Sequence, residues 1–216
     1  LPRAKVDDPE AEISAFFDGN IVNRNPIKSA RALIRPMIKA PEGKVLVVSD
    51  YDAIEYVLLE WFAGNTAALT RFAEGFDQYI DFASTMYKVP YDAVSAEQRR
   101  TGKIIILGCG FGQWAPKLVI TAKTQWGLDI SEEEALFWVK SYRKEHHLAV
   151  DMWYGCHKLI VDAIQAPGKE LSGWKCKFQV VKDRNRVPWL TITLPSGRRL
   201  YYREPFLEPG AKGPTI

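Results

Sequence analysis

The hydrophobic pattern of this chain changes near residue 167, and that change restricts the fold more than any other feature. Before it, apolar residues recur with helical spacing, which predicts helices over 28–40, 53–73, 76–89, 95–123, 131–145 and 148–165. A break is expected at Gly64-Asn65 within the second of these. After it, three short segments alternate apolar and polar residues, which predicts two or three antiparallel strands over 168–216. The sequence therefore predicts an α+β fold, mostly helical, with a small antiparallel sheet.

One earlier segment is predicted as a buried strand. Residues 44–49, KVLVVS, hold four apolar residues, three of them β-branched, and a turn precedes them. Asp50 follows directly, and an acid at the end of a rigid strand is well placed to bind a metal ion. It is equally well placed to cap a helix that begins near Ala53. Residues 1–30 are polar and interrupted by Pro9 and Pro26, so we expect irregular structure there.

Composition excludes several classes of protein. Hydrophobic residues make up 47% of the 216 and charged residues 25%, as in ordinary globular domains. A net charge of +3 permits nucleic-acid binding without requiring it. The 3 cysteines form no CxxC pair, so neither a zinc site nor a disulfide framework is expected. No apolar run approaches the roughly 18 residues that span a bilayer, so no membrane partner is expected.

The segment 95–112 carries cations ahead of an apolar surface. Arg99 and Lys103 are four residues apart and share a helix face, and Leu107 and Phe111 continue that row. Such a face suits a nucleoside triphosphate, with charge for the phosphates and a flat surface for base and sugar. The same pattern also occurs at the exposed end of an ordinary basic helix.

The glycines of the same segment suggest an alternative. ILGCGFG (106–112) is similar to the first motif of Rossmann-like methyltransferases, which bind S-adenosylmethionine at a strand followed by a glycine loop. That family usually places an acid just before the position of Leu107, where this chain has Ile106. The preceding RRTGK also starts a helix better than a strand.

Two motifs in order resemble those of family A DNA polymerases. SDYDAIEYVLLEWFAG (49–64) resembles motif A, D-Y-S-x-I-E-x-R, and SAEQRRTGKIIILGCGFG (95–112) resembles motif B, R-R-x-x-K-x-x-x-[FY]-G-x-x-Y-G. TLPSGRRLYYREP (193–205) is similar to a hairpin of the phage members. The resemblance implies a palm part over 1–60, helical fingers over 61–167 and a β-hairpin region returning to the palm over 168–216.

The resemblance also implies roles for individual residues, carried over position by position. Asp50 matches the catalytic aspartate that holds Mg²⁺, and Lys103 matches a fingers lysine that is both catalytic and in contact with the nucleotide. The residues implied in binding a deoxynucleoside triphosphate (dNTP) are Glu55, which blocks a ribose 2′-hydroxyl, Tyr79, Arg99, Lys103, Leu107 and Phe111. Asp52 and Val57 replace the serine and arginine usual in the family. Leu107 replaces an aromatic residue, which implies a weaker grip on the sugar, and Phe111 lacks the tyrosine hydroxyl that would bind Glu55, which implies a weaker ribose gate.

The motif C His-Asp pair of the family is not found in this sequence. None of His146, His147 and His157 is followed by Asp. The resemblance therefore implies one piece of a polymerase, completed by a complementary fragment that carries motif C and the thumb. Its partners would be primer-template DNA and dNTP, in the cytoplasm of a bacterium or phage-infected cell. A catalytically silent nucleic-acid or nucleotide-binding module remains a further alternative.

Overall fold

A computed structural model of the chain describes residues 8–19, 26–210 and 213–215. The chain divides into two compact units, Leu1–Asp52 and Ala53–Ile216.

The first unit contains two short helices. Helix α1 spans Pro9–Phe17, and the Asp8 side chain caps it by accepting from the backbone N–H groups of Glu10 and Ala11, at 3.0 Å each. Helix α2 spans Pro26–Leu33, which is shorter than the predicted 28–40. The prediction of irregular structure was wrong for α1, because Pro9 opens that helix at a position where its missing N–H needs no partner.

The predicted strand over 44–49 is also wrong. The segment lies outside any helix or strand, and its side chains are exposed, with Val45 at 84%, Val47 at 89% and Val48 at 89%. A strand needs the backbone of a neighbouring strand for its hydrogen bonds, and no described residue pairs with this segment. β-Branched composition alone cannot replace that partner.

The second unit begins with seven helices. Helix α3 spans Ile54–Ala63, α4 Thr66–Ala73, α5 Gln78–Tyr87, α6 Ala96–Cys109, α7 Ala115–Trp126, α8 Glu132–Glu145 and α9 His147–Gln165, with a short 3₁₀ helix at Tyr91–Ala93. The predicted break is confirmed: Gly64 has φ 79°, and the Asn65 side chain caps α4. The single helix predicted over 95–123 is wrong, because a turn containing Gly112 at φ 73° separates α6 from α7.

The helical core is built around α6. Its three consecutive isoleucines, Ile104, Ile105 and Ile106, are all buried, with exposures of 0–4%. They pack with residues of α7 and α8, among them Leu118 and Tyr142. Neighbours on several sides therefore hold α6 in place, and its remaining exposed face is narrow.

A buried contact between a carboxylate and an imidazole links α3 to the junction of α8 and α9. The carboxylate of Glu60 in α3 is fully buried and contacts His146 Nδ1 at 2.7 Å and Asn65 Nδ2 at 2.7 Å. The His146 ring stacks on Tyr142, with ring centroids 4.5 Å apart. Burial, with the charge of Glu60 as a lesser cause, raises the pKa values of Tyr56 and Tyr142 well above the ordinary tyrosine value.

The end of the chain forms the predicted antiparallel sheet. Strands β1 (Leu171–Gly173), β2 (Cys176–Lys182), β3 (Pro188–Thr193) and β4 (Arg199–Arg203) pair in that order, and β5 (Glu208–Gly210) pairs with β6 (Gly213–Thr215). Phe178 and Val180 of β2 face Ile192 and Leu190 of β3 and pack on α9. The predicted α+β fold is confirmed. Strand β1 was not predicted.

One tight contact fixes the sheet against α9. The β1–β2 turn places Trp174 and Lys175 at φ 45° and 62°, the conformation typical of a two-residue hairpin turn. The Trp174 ring then lies so close to Gly155 in α9 that a Cβ atom there would be 1.7 Å from it. Gly155 is therefore needed for this contact.

Candidate nucleotide-binding site

The start of α6 fixes where its cations lie. Ser95 and Gln98 form a capping box, in which each side chain binds the backbone N–H of the other residue. Arg99 and Lys103 follow in the first turns, both half-exposed. From Arg99 to Leu107 the row spans about 12 Å, given a rise of about 1.5 Å per residue.

Arg99 is held by the first turn of α5. Its Nε and Nη2 atoms donate to Asp77 Oδ2 at 3.0 and 2.6 Å. Its guanidinium carbon lies 5.5 Å from the centroid of the Tyr79 ring, within the range of a cation–π contact. The positive group is thus oriented by a carboxylate and an aromatic ring of one neighbouring helix.

Lys103 lies between two aromatic rings. Its Nζ atom is 5.7 Å from the centroid of Tyr79 and 5.7 Å from that of Trp126. Within the described part of the chain, no carboxylate forms an ion pair with it. The ammonium group therefore remains available to an anion, next to the Tyr79 ring that also contacts Arg99.

Three of the other predicted residues line one cavity. Glu55, Leu107 and Phe111 all face a cavity of about 300 Å³ between α3 and the end of α6. Phe111 is 69% exposed, and Glu55 is exposed as well. The second unit thus brings together Arg99 and Lys103 beside Tyr79 as a cationic cluster. It also places Glu55 of α3, Leu107 of α6 and Phe111, just after α6, around one largely apolar cavity.

Asp50 belongs to the first unit. It lies in extended, exposed chain, and its carboxylate accepts from the N–H of Tyr51 at 3.0 Å. Neither Asp50, for which helix capping was the alternative prediction, nor Asp52 caps α3, because Ala53 is the cap residue, in the left-handed conformation, and no side chain caps the helix. No three acidic, histidine or cysteine side chains in the described ranges are close enough to bind a metal ion. These residues alone therefore do not form a complete magnesium site.

Sequence reasoning missed Asp77 and Trp126. Asp77 precedes a helix, which is a signal for an N-cap, and its side chain does cap α5. Nothing in the sequence indicates that it also binds Arg99, 22 residues away. The contact of Trp126 with Lys103 likewise depends on how α7 returns beside α6.

The methyltransferase alternative conflicts with the backbone. Its motif requires a strand before the glycine loop, whereas Ile104 and Ile106 lie inside α6. Separately, no helix in the described ranges is long and apolar enough to cross a membrane.

Comparison with known proteins identifies the family. A sequence model described as DNA polymerase family A matches residues 19–159. The DNA polymerase of Bacillus phage SP02 is 29% identical over 218 residues, which covers 96% of this chain and 32% of that protein. The thermostable DNA polymerase I of Thermus aquaticus is 34% identical over 123 residues, or 57% of this chain and 14% of that protein. The chain thus spans a third or less of the length of these relatives.

A solved structure shares the fold. The polymerase domain of Pol1 from M. smegmatis, in complex with a DNA primer-template and dNTP, matches with a TM-score of 0.50 and 22% identity. The match covers 84% of this chain and 26% of that one. The match to the family over most of the chain confirms what motifs A and B predicted: the chain belongs to DNA polymerase family A.

Proposed function

We propose that this chain is the nucleotide-holding part of a polymerase that carries out template-directed DNA synthesis. The observation that carries the proposal is the placement of Arg99 and Lys103 on one face of α6, with Arg99 Cζ 5.5 Å and Lys103 Nζ 5.7 Å from the centroid of the Tyr79 ring. In a chain of this family, that cluster is suited to the triphosphate of an incoming dNTP, because charge-assisted hydrogen bonds to phosphate are among the strongest available.

The cavity near the end of α6 would receive the rest of the nucleotide. Leu107 and Phe111 offer apolar surface for the sugar and base, and Glu55 lies at the same cavity, where its carboxylate would oppose a ribose 2′-hydroxyl. Leu107 presents no ring to the sugar, and Phe111 has no hydroxyl to bind Glu55. We therefore propose that this site excludes ribonucleotides less strictly than one with both aromatic hydroxyl and ring.

We propose Asp50 as one ligand of Mg²⁺, which when bound would neutralise developing charge on the transferring phosphoryl group. The carboxylate is exposed and so accessible to an ion. Mg²⁺ usually keeps several water ligands and is bound by one or two carboxylates together with substrate phosphates, and we propose that a complementary polymerase fragment supplies a second carboxylate. Palm, fingers and hairpin regions over 1–60, 61–167 and 168–216 remain part of the same proposal, as does a cytoplasmic location.

The test is a titration of the chain with dNTP and Mg²⁺, in the presence and absence of primer-template DNA. We expect Lys103→Ala and Arg99→Ala each to weaken dNTP binding by about 1.5–3 kcal/mol, the usual contribution of a hydrogen bond to a charged group. Arg100→Ala is the matched control, because Arg100 lies on the same helix but donates to the backbone oxygen of Trp126 at 2.6 Å.

Equal effects of all three variants would contradict the proposal. A silent binding module would bind template and nucleotide in this assay but give no primer extension when combined with a complementing polymerase fragment. S-adenosylmethionine binding in place of dNTP binding would support the methyltransferase alternative, against the helical structure of α6.

A further inference from the structure

The Asp77–Arg99 ion pair joins two helices at the proposed triphosphate site. We propose that Asp77 is a positioning residue, which holds the Arg99 guanidinium in the orientation that a phosphate group requires. This inference rests on the proposed function, because it assigns a role to the partner of a proposed nucleotide-binding cation.

The carboxylate of Asp77 is itself rigidly placed. Its Oδ1 atom accepts from the backbone N–H groups of Tyr79 and Ile80, at 2.8 and 3.1 Å, and so caps α5. Its Oδ2 atom accepts from Arg99 Nε and Nη2. One oxygen is therefore fixed to the helix while the other is directed at the guanidinium.

The geometry leaves part of the guanidinium unused. A guanidinium carries N–H donors on each of its nitrogens, in a planar fork. Asp77 engages Nε and Nη2, so Nη1 and the second hydrogen of Nη2 form an outer edge that can bind two oxygens of one phosphate. Tyr79, also in the first turn of α5, limits the tilt of the group because its ring lies 5.5 Å away.

A second arginine–aspartate pair on α5 provides a contrast. Arg71 donates from Nε to Asp81 Oδ2 at 2.6 Å and from Nη2 to Asp81 Oδ1 at 2.5 Å. Both carboxylate oxygens are thus occupied by Arg71, whose guanidinium also lies 3.9 Å from the Phe76 ring. This pair joins α4 to α5 and involves neither Arg99 nor Lys103, so it serves as a matched control for a purely structural ion pair.

The experiment compares Asp77→Ser with Asp81→Ser in the dNTP titration of the 216-residue chain. Serine caps helices as well as aspartate does, so Asp77→Ser removes the Arg99 contact while keeping the cap. We expect it to raise the dNTP Kd about tenfold, the equivalent of one hydrogen bond of ordinary net strength. Asp81→Ser should leave the Kd within about twofold, although it loses an ion pair of similar exposure.

A double variant separates positioning from general loss of structure. In an Arg99→Ala background, Asp77→Ser should have no further effect on the Kd, because its partner is already gone. An unchanged or lower Kd in Asp77→Ser, or an equal further loss in the double variant, would overturn the inference. If Arg99→Ala itself leaves the Kd unchanged, the proposed function fails instead.

A second measurement needs no nucleotide. The Nε–H signal of Arg99, followed by ¹H–¹⁵N NMR, should exchange with water more slowly in the natural chain than in Asp77→Ser. The Nε–H signal of Arg71 should exchange at the same rate in both proteins. Equal exchange of the Arg99 signal in the two proteins would show that Asp77 does not restrain the guanidinium.

Discussion

Two apolar segments of this chain have similar sequences and opposite structures. Residues 104–106 of α6 are three isoleucines, and residues 45–48 are VLVV. Ile105 is fully buried, whereas Val47 is 89% exposed. The helix satisfies its backbone hydrogen bonds within itself, while a strand depends on a neighbour that the described residues do not provide. Apolar composition therefore predicts structure only where the backbone partner is local.

The predicted site is divided in the same way. Arg99 and Lys103 stand on a helix anchored in the core, and their neighbours Asp77 and Tyr79 already surround them. Asp50 follows the exposed segment and touches only its own neighbour in the described hydrogen bonds. The proposed nucleotide-binding residues thus lie in the second unit, whereas the proposed metal ligand lies in the first.

The largest expected effect concerns Asp50. In a complete polymerase that contains this chain, Asp50→Asn should reduce primer extension below detection, because metal-ion stabilisation contributes several kcal/mol to such transition states. Asp52→Asn should cost less than about 1 kcal/mol, since Asp52 caps no helix. Both variants are compared at the same Mg²⁺ concentration. Activity of Asp50→Asn with inactivity of Asp52→Asn would show that motif A is aligned out of register.

The second-largest expected effect tests the buried contact between Glu60 and His146 in the helical region. His146→Phe preserves the aromatic stack but leaves the buried Glu60 carboxylate without its imidazole hydrogen-bond partner, which should lower the free energy of unfolding by about 3 kcal/mol, the upper end for an unpaired buried polar group. Glu60→Leu combined with His146→Phe should recover most of that loss, because no buried charge then remains. Denaturant unfolding measures both. If the losses in unfolding free energy of the two single substitutions simply add in the double variant, the side chains of Glu60 and His146 do not stabilise each other.

A smaller effect tests the contact between helix α9 and the sheet. Gly155→Ala places a methyl group against the Trp174 ring and should destabilise the chain by about 1–3 kcal/mol. In a Trp174→Ala background the same substitution should be stabilising by up to about 1 kcal/mol, since alanine favours a helix more than glycine does. The thermal midpoints of the four proteins give the answer, and destabilisation in both backgrounds would contradict this account of the contact.

The smallest expected effect tests the difference between the exposed residues 45–48 and the buried residues 104–106. Val47→Ala removes two methyl groups, yet it should change the free energy of unfolding by less than about 0.5 kcal/mol, because the side chain is exposed. Ile105→Val removes a single methylene and should cost about 0.5–1.5 kcal/mol. A larger loss from Val47→Ala would mean that residues 45–48 are packed in solution.

Local signals predicted most of the helical fold. Gly64 ends one helix and Asn65 caps the next, and α8 begins at the predicted position, after the cap residue Ser131. The same local signals were misread at Pro9, which can either interrupt a helix or begin one. The helix predicted over 95–123 includes the glycines after Cys109. In the structure, Gly112 adopts a left-handed backbone conformation, and α6 ends before it.

Sequence patterns named the candidate residues of the proposed site but not the contacts between them. Spacing placed Arg99 and Lys103 on one face, and the family motifs indicated Glu55, Leu107 and Phe111, which the structure finds at one cavity. The approach of α5 to α6 brings Asp77 to Arg99, and no sequence pattern records that approach. It depends on Gly102, whose missing Cβ leaves room for the backbone oxygen of Tyr79.

Single-turnover incorporation of one nucleotide tests the central claim most directly, in a polymerase that contains this chain and with Lys103→Ala set against Arg100→Ala. If α6 holds the triphosphate, Lys103→Ala should lower the efficiency of incorporation by at least about tenfold, the effect of losing about 1.4 kcal/mol of binding to phosphate. Arg100 lies three residues before Lys103 and donates to the backbone oxygen of Trp126. The incorporation efficiency of Arg100→Ala should stay within about twofold of that of the unsubstituted protein. Equal efficiencies for the two variants would contradict the account, because the face of α6 that carries Lys103 beside the Tyr79 ring would then not be the nucleotide site.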